Sequence, residues 1–471
     1  NVVLQSWTLK TQARPDTDEG VYLYQAKLIT QGYLPYKDFA MTNHVPFLMY
    51  LNALVLKLCD FDMVTYHRIY VIWVFLTIFP LFYTVLYFTR SRVASILSCV
   101  FFSTFTELVQ WDAHFFAIRQ ASLPLFACFI YFFFVKKKAK LSHIFLALFS
   151  FCLITNFIIS LAFVITVFAY GCTKHRRSRG QWAKKYAWTS WVFVLLTGTY
   201  FGLIALIPGS IHNFLITQNR ISFDLQKVGA VKDMMPSNWP IFLFGALGIF
   251  FFLEEFFLLS LLSYFTLIIT VFVNGSFYSH YVTPIAVPFA IMGGIFLHKL
   301  LLLVSLNERK IAVVRKLALV GLIFFALYQT VYSSLSQALV FDTTPDFFRT
   351  VHVLEQAPEP LFTLQPIYAL YAQKDLVMYY NTADMRVLSA TGTNLSDEQY
   401  HDIIEKSNTV LLESFANQML PPEIKEEIFQ NFSLTYSDGT ESVYVRKIVA
   451  RTSTSYTPSK RTAMKANKVV T

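Results

Sequence analysis

The sequence predicts an α-helical polytopic membrane protein with about ten spans, interfacial helices in its first external loop and a small external α/β domain at its C-terminal end. Three observations carry this reading. Of 471 residues, 55% are hydrophobic and only 14% charged, with a mean hydropathy of +0.48, too apolar for one soluble domain. The apolar residues gather into runs long enough to cross a hydrocarbon core of about 30 Å, which takes about 20 residues of helix. Lys and Arg are distributed unevenly between alternate loops, as the positive-inside rule requires.

Residues 1–61 form the first external loop. Its charged stretch, "RPDTDEGVYLYQAKLITQGYLPYKDFAMTNHVPF" over residues 14–47, stands just before the first long apolar run. Asp16 can cap a helix with Glu19 three residues on, the spacing of a capping box, and Gly32 is placed to end that helix. "YLPYKDF" reads as a turn. "VPFLMYLNALVLKL", residues 45–58, is apolar but only fourteen residues long, which suits a helix in the membrane interface better than a crossing. The chain begins at Asn1 without Met, and residues 1–13 hold no apolar core of a signal peptide or span. With residues 14–60 external, a first transmembrane helix is expected upstream.

Residues 62–336 carry the transmembrane helical domain. Spans are expected near 62–88, 93–109, 121–135, 141–156, 157–172, 186–207, 239–253, 256–273, 281–304 and 317–336, the long run over 141–172 being divided at Asn156. Internal loops hold Arg90 and Arg92, the Lys136–Lys140 cluster, the Lys174–Lys185 cluster, and Arg309, Lys310, Arg315 and Lys316. Short external loops hold only Arg119, Arg220, Lys227 and Lys232, so both ends of the chain face outward. This placement, together with anionic lipid headgroups, accounts for the net charge of +10 and leaves no reason to invoke nucleic acid. Cys59, Cys99, Cys128, Cys152 and Cys172 all lie in or beside apolar segments, without metal-type spacing or a disulfide framework.

Beyond the last span the composition becomes mixed. Residues 337–450 read as an external α/β domain: "LFTLQPIYALYA", "MRVLSA", "NTVLLESF" and "ESVYVRK" as strands or strand-to-helix units, "LSDEQYHDIIEKS" and "LPPEIKEEIFQNF" as helices. Residues 451–471, rich in Thr, Ser and Lys, read as a disordered basic tail.

The chemistry concentrates in the first loop. Acids belong in a helix's first turn, where they meet free N–H groups and the positive dipole end, but one cap suffices. Asp16, Asp18 and Glu19 within four residues, with Asp38 nearby, exceed that need, and their repulsion is tolerable only near cations, metal or water. "DTD" has the Asp-x-Asp form of metal-dependent sugar transferases, but so does "DFD" at 60–62, and such patterns arise by chance. Arg68, Asp112, Arg119, His280 and Tyr281 stand at external span ends. Snorkelling to the headgroups accounts for any one alone. Together they form the set expected where an anionic group is gripped beside a general base. No P-loop, His-Glu-x-x-His or Gly-x-Ser-x-Gly motif is present, which argues against ATP-driven pumping and the common hydrolases.

The ordered series "DEGVYLYQAKLITQGYLPYKDF", "NHVPFLMYLNAL", "QWDAHFFAIRQASLPLF" and "YSHYVTPIAVPFAIMGG" resembles the membrane-embedded GT-C glycosyltransferases, in particular bacterial relatives of protein O-mannosyltransferases and aminoarabinose transferases. The likeness runs over about residues 14–336, and the C-terminal region with "FTLQPIYALYA" is similar to the external domains of bacterial members. It implies a plasma-membrane enzyme of a bacterium that moves a sugar, with inversion, from a polyprenyl-phosphate carrier to a lipid, glycan or protein hydroxyl at the outer face. Residue by residue, Asp18 and Glu19 match the family's acidic pair, with Asp18 as the general base. Asp38, His44, Arg68, Asp112, Arg119, His280 and Tyr281 are the candidates for holding the donor's phosphate and sugar. "Asn43-His44-Val45-Pro46" stands where aminoarabinose transferases resemble Glu-Lys-Pro-Pro, which makes lipid A modification less expected. No cofactor is implied, although a divalent ion on Asp16 and Asp18 is open. A transporter or flippase of lipid-linked sugars would use similar phosphate-gripping groups, and a surface-polysaccharide polymerase or ligase is the other alternative.

Overall fold

The computed structural model describes residues 17–39, 46–105, 118–174, 179–207, 227–251, 256–272, 279–305, 345–377 and 396–447, with residues 108, 210, 320, 321, 323–325, 328 and 332 between them. It is mostly helical. The order is α1 (Thr17–Thr30), α2 (Phe47–Leu58), α3 (Met63–Phe75), α4 (Ile78–Thr89), α5 (Arg92–Ser103), α6 (Ile118–Ala121) and α7 (Leu123–Ile130), which ends in a π turn (Tyr131–Val135). Then come α8 (Ala139–Ser150), α9 (Ile154–Lys174), α10 (Arg179–Ala205), α11 (Lys227–Phe251), α12 (Phe257–Phe272), a 3₁₀ helix (Ser279–Ile285) and α13 (Ala286–Ser305).

Among the described residues, three helical stretches are long and apolar enough to cross a membrane: Met63–Thr89, Ile154–Gly171 and Val282–Leu302. Shorter apolar helices fill most of the other expected spans, and the larger part of the run at 317–336 falls outside the described residues. One expected boundary is corrected. The run over 141–172 breaks at Phe151–Leu153, not at Asn156. Asn156 sits in the first turn of α9, and its side-chain amide donates to the Phe149 carbonyl, 3.2 Å away, near the end of α8. The polar residue therefore satisfies the end of one helix from inside the next.

The short apolar run expected after the turn forms a helix, α2. Leu48, Met49, Ala53 and Leu56 are buried while Tyr50, Leu51, Leu54 and Leu58 are exposed, so its outward face is as apolar as its inward one. Pro46 precedes it without a capping side chain. The Phe47 N–H instead donates to the Tyr200 hydroxyl of α10, 3.0 Å away.

The C-terminal unit comprises α14 (Pro345–Gln356), β1 (Leu361–Phe362), α15 (Pro366–Tyr371), α16 (Asp397–Lys406), β2 (Thr409–Leu412), α17 (Ser414–Met419), α18 (Pro422–Asn431), β3 (Phe432–Ser437) and β4 (Ser442–Arg446). The sheet order is β1-β2-β4-β3, parallel between β1 and β2 and antiparallel elsewhere. Ser396 and Gln399 form a full capping box on α16, as Ser-x-x-Gln predicts. "MRVLSA" lies outside the described residues.

Alternation along the strands gives the sheet two buried faces. Phe362, Val410 and Leu412 join Ile403, Ile404, Ile424 and Ile428 in a core of the unit's own. Leu361, Leu411 and Val443 face the other way, with Ile367, Tyr368 and the large core that contains Leu23 and Tyr24 of α1.

Glu413 and Glu441 follow directly on the cross-strand pair Leu412–Ser442, and both are buried. Like charges opposite one another in a sheet repel, and burial penalises each charge further. Burial, with the Glu441 charge adding to it, pushes the Glu413 carboxyl up from 4.5 to about 8. The Thr363 hydroxyl donates to Glu413 over 3.3 Å, and the Tyr368 hydroxyl donates to Glu441. A carboxyl held protonated in the fold gives stability that is complete below its unfolded value of 4.5, and that is lost as pH rises towards 8. Glu413→Gln should therefore match wild type near pH 4.5 and melt at a progressively higher temperature than wild type up to pH 8, where the gain levels off. Thermal unfolding of the two proteins across that range checks this.

Candidate active site

The acidic stretch begins a helix, as its cap spacing predicts. The helix, α1, starts at Thr17, and Asp16, the expected cap, lies outside the described residues. Asp18 is the second residue of the helix; its side chain is likewise outside them. The far end closes as expected. Tyr33 N–H donates to the Leu28 carbonyl at 3.1 Å and Gly32 N–H to that of Ile29 at 3.0 Å, a Schellman ending with Gly32 at φ +93°.

Glu19 is fully buried. Its Oε1 lies 2.6 Å from Nε2 of His67, which is also buried. His67 shares the inward face of α3 with Met63, Tyr66, Tyr70 and Val74. Tyr66 donates to Asn52 of α2 over 3.1 Å. A carboxylate removed from water is costly unless paired and hydrogen-bonded, and His67 supplies a partner. Tyr371 of α15 comes into the same field: burial first, then the Glu19 and Asp62 charges, hold its hydroxyl well above the usual tyrosine range.

The C-terminal unit covers α1. Gly20 lies so close to α15 that a Cβ there would stand 2.6 Å from both Cβ and N of Ile367. Farther along, Lys27 Nζ donates to the Lys374 carbonyl at 2.8 Å and pairs with Asp375 at 3.0 Å. The Leu376 N–H donates to the Tyr24 hydroxyl at 2.8 Å, and Gln31 reaches Asp375 at 3.2 Å.

The remaining candidates divide by element. Asp38 closes the "YLPYKDF" turn: its carboxylate accepts from Leu34 N–H at 2.7 Å, and its own N–H donates to the Leu34 carbonyl at 2.9 Å. Asp62, the second acid of "DFD", caps α3 by accepting from Val64 and Thr65 N–H at 3.2 Å. The Thr65 hydroxyl and these N–H groups hold it below the usual carboxylate range, which is the bland role for that motif. Arg68 is exposed on α3, and Arg119 is half-buried on α6.

These elements adjoin. The Trp73 indole of α3 donates to the Ala121 carbonyl of α6 over 2.7 Å, and α6 packs against the 3₁₀ helix that carries His280 and Tyr281. The side chains of His280 and Tyr281, and all of His44 and Asp112, lie outside the described residues. Among the described residues, no three His, Cys, Asp or Glu side chains are grouped to hold a metal ion.

His67 escaped the sequence reading. "TYHRIY" drew attention to Arg68, yet His67 lies in helical register with Met63, Tyr70 and Val74, the buried face on which a histidine needs a polar partner.

No family model matches the chain, and no curated protein matches it. Solved structures do. ArnT from Cupriavidus metallidurans bound to undecaprenyl phosphate matches with a TM-score of 0.62, 12% identity, and 95% of this chain against 96% of that one. The apo form of ArnT from the same organism matches with a TM-score of 0.61, 12% identity, and 94% against 95%. The chain has the ArnT fold over nearly its whole length.

Proposed function

We propose that this chain, which shares the fold of ArnT, is a membrane glycosyltransferase that takes its sugar from a polyprenyl-phosphate carrier and places it on an acceptor hydroxyl. The observation that carries the reading is the match to a structure bound to undecaprenyl phosphate over 95% of the chain, in a molecule whose acidic segment opens α1. In this reading about ten spans cross the plasma membrane of a bacterium. The start of α1 and the C-terminal unit lie on the outer side.

Asp18 acts as general base and accepts the proton of the acceptor hydroxyl. The hydroxyl oxygen attacks the anomeric carbon from the face opposite the phosphate. The bond from that carbon to the phosphate oxygen breaks, and the configuration inverts. The lipid phosphate leaves with its negative charge, so groups that meet this charge as it grows supply rate. Arg68 on α3, Arg119 on α6, and His280 and Tyr281 on the adjoining 3₁₀ helix are assigned to that task. His44 takes the place of the lysine that aminoarabinose transferases resemble at this point, and Asp38 and Asp112 border the sugar. The chemistry needs no metal, although Asp16 and Asp18 are the pair that would hold one.

The test supplies the purified full chain with a panel of undecaprenyl-phosphate hexoses and pentoses and a membrane lipid and glycan extract. Sugar transfer with stoichiometric release of undecaprenyl phosphate supports the reading. Translocation of intact donor in vesicles, without cleavage, would replace it with a flippase. Arg119→Gln should lower kcat/KM for the donor by about 10- to 100-fold, the loss of one charged hydrogen bond to phosphate, measured on the same panel.

A further inference from the structure

We infer that Glu19 and His67 act as one positioning unit, which fixes the start of α1 and with it Asp18. The inference rests on the reading of Asp18 as the base.

Glu19 is sealed from water on the membrane-domain side, and its Oε1 is engaged by His67 at 2.6 Å. Such a group is poorly placed to meet an acceptor arriving from outside. It is well placed to anchor a helix. The next residue, Gly20, is in close contact with Ile367 of α15. Two consecutive residues are thus gripped by different elements, one by α3 and one by α15.

Asp18 precedes Glu19, and neighbouring Cα atoms are about 3.8 Å apart, so a displacement of Glu19 is passed almost undiminished to Asp18. The chemistry is sensitive on that scale: a misplacement of about 1 Å costs about 100-fold in rate. The adjacent acids therefore have separate tasks. Asp18 meets the acceptor, and Glu19 holds Asp18 in place through His67.

The experiment compares His67→Ala, His67→Gln, Glu19→Ala, the double variant Glu19→Ala/His67→Ala and Asp18→Asn, all as full chains in lipid nanodiscs with undecaprenyl-phosphate hexoses as donor. His67→Ala and Glu19→Ala should each lower kcat by about 100-fold, with KM for the donor within about threefold of wild type. The double variant should lose no more than either single change, because both remove the same link. His67→Gln, whose amide can still donate to Glu19, should recover at least tenfold of the lost kcat. Simple destabilisation would move the melting temperature without this split or rescue, and His67→Gln keeps the test valid if the alanine variants fail to fold.

Unchanged kcat in His67→Ala beside an inactive Asp18→Asn overturns the inference and leaves the proposed reaction standing. So does Glu19→Ala as inactive as Asp18→Asn while His67→Ala stays active, which would make Glu19 chemical. An active Asp18→Asn removes the reading on which the inference rests.

Discussion

Asp18→Asn is expected to bind donor as wild type does and to transfer sugar about 10²- to 10⁴-fold more slowly, the range removed with a general base. The amide matches the carboxylate in size but cannot take a proton at neutral pH. Loss of an acid in the first turn of α1 weakens the helix end by only about 0.3–1 kcal/mol. That is far smaller than the rate effect, so a folding defect and a chemical one separate cleanly. Glu19 and its link to His67 remain, which keeps the backbone of the first turn in place. The measurements are product formation under saturating donor and equilibrium binding of undecaprenyl phosphate. Transfer by the variant at more than a tenth of the wild-type rate would end the assignment of Asp18 as base.

Gly20→Val is expected to loosen the C-terminal unit from α1 and to cost about 3 kcal/mol of stability. Intrinsic helix propensity works the other way, since glycine in a helix is disfavoured by about 1 kcal/mol relative to alanine. On an exposed helix a side chain here would help. Contact decides otherwise. A Cβ at position 20 meets Cβ and N of Ile367 at 2.6 Å and its Cα at 2.8 Å, and two of those atoms are backbone, which cannot rotate away. The first residues of α15 must therefore move, and the Tyr24–Leu376 and Lys27–Asp375 links shift with them. Thermal unfolding and the protease sensitivity of residues 345–447 would register the change. A variant that melts like wild type would show that α15 and α1 do not pack this closely.

Local signals carried much of this molecule. The end of α1 was legible in Gly32, because the left-handed conformation of a Schellman ending favours glycine. The apolar length of α2 was equally plain. The break between α8 and α9 was not. Phe151, Cys152 and Leu153 carry no turn chemistry, and Asn156, the polar residue that drew the reading, belongs to the helix after the break. Strand β3 was hidden because its first residue, Phe432, also completes the apolar pattern of α18.

The candidate site divided in the same way. Asp18 and Glu19 stood out as an acidic cluster, whereas the partner of Glu19 lies 48 residues away. The cover formed by α15 reaches α1 from still farther along the chain. Periodicity within one helix says which face is buried but not what lies against it.

The span of those contacts has a consequence for biosynthesis. Tyr24 waits for Leu376 and Lys27 for Lys374, partners separated by 352 and 347 residues. At roughly 5–20 residues per second of translation, the acidic helix emerges roughly 20–70 s before its cover exists. During that interval α1 has only the partners it finds on the early helices, His67 foremost. A ribosome-bound chain therefore carries the acids of α1 without the clamp that covers them.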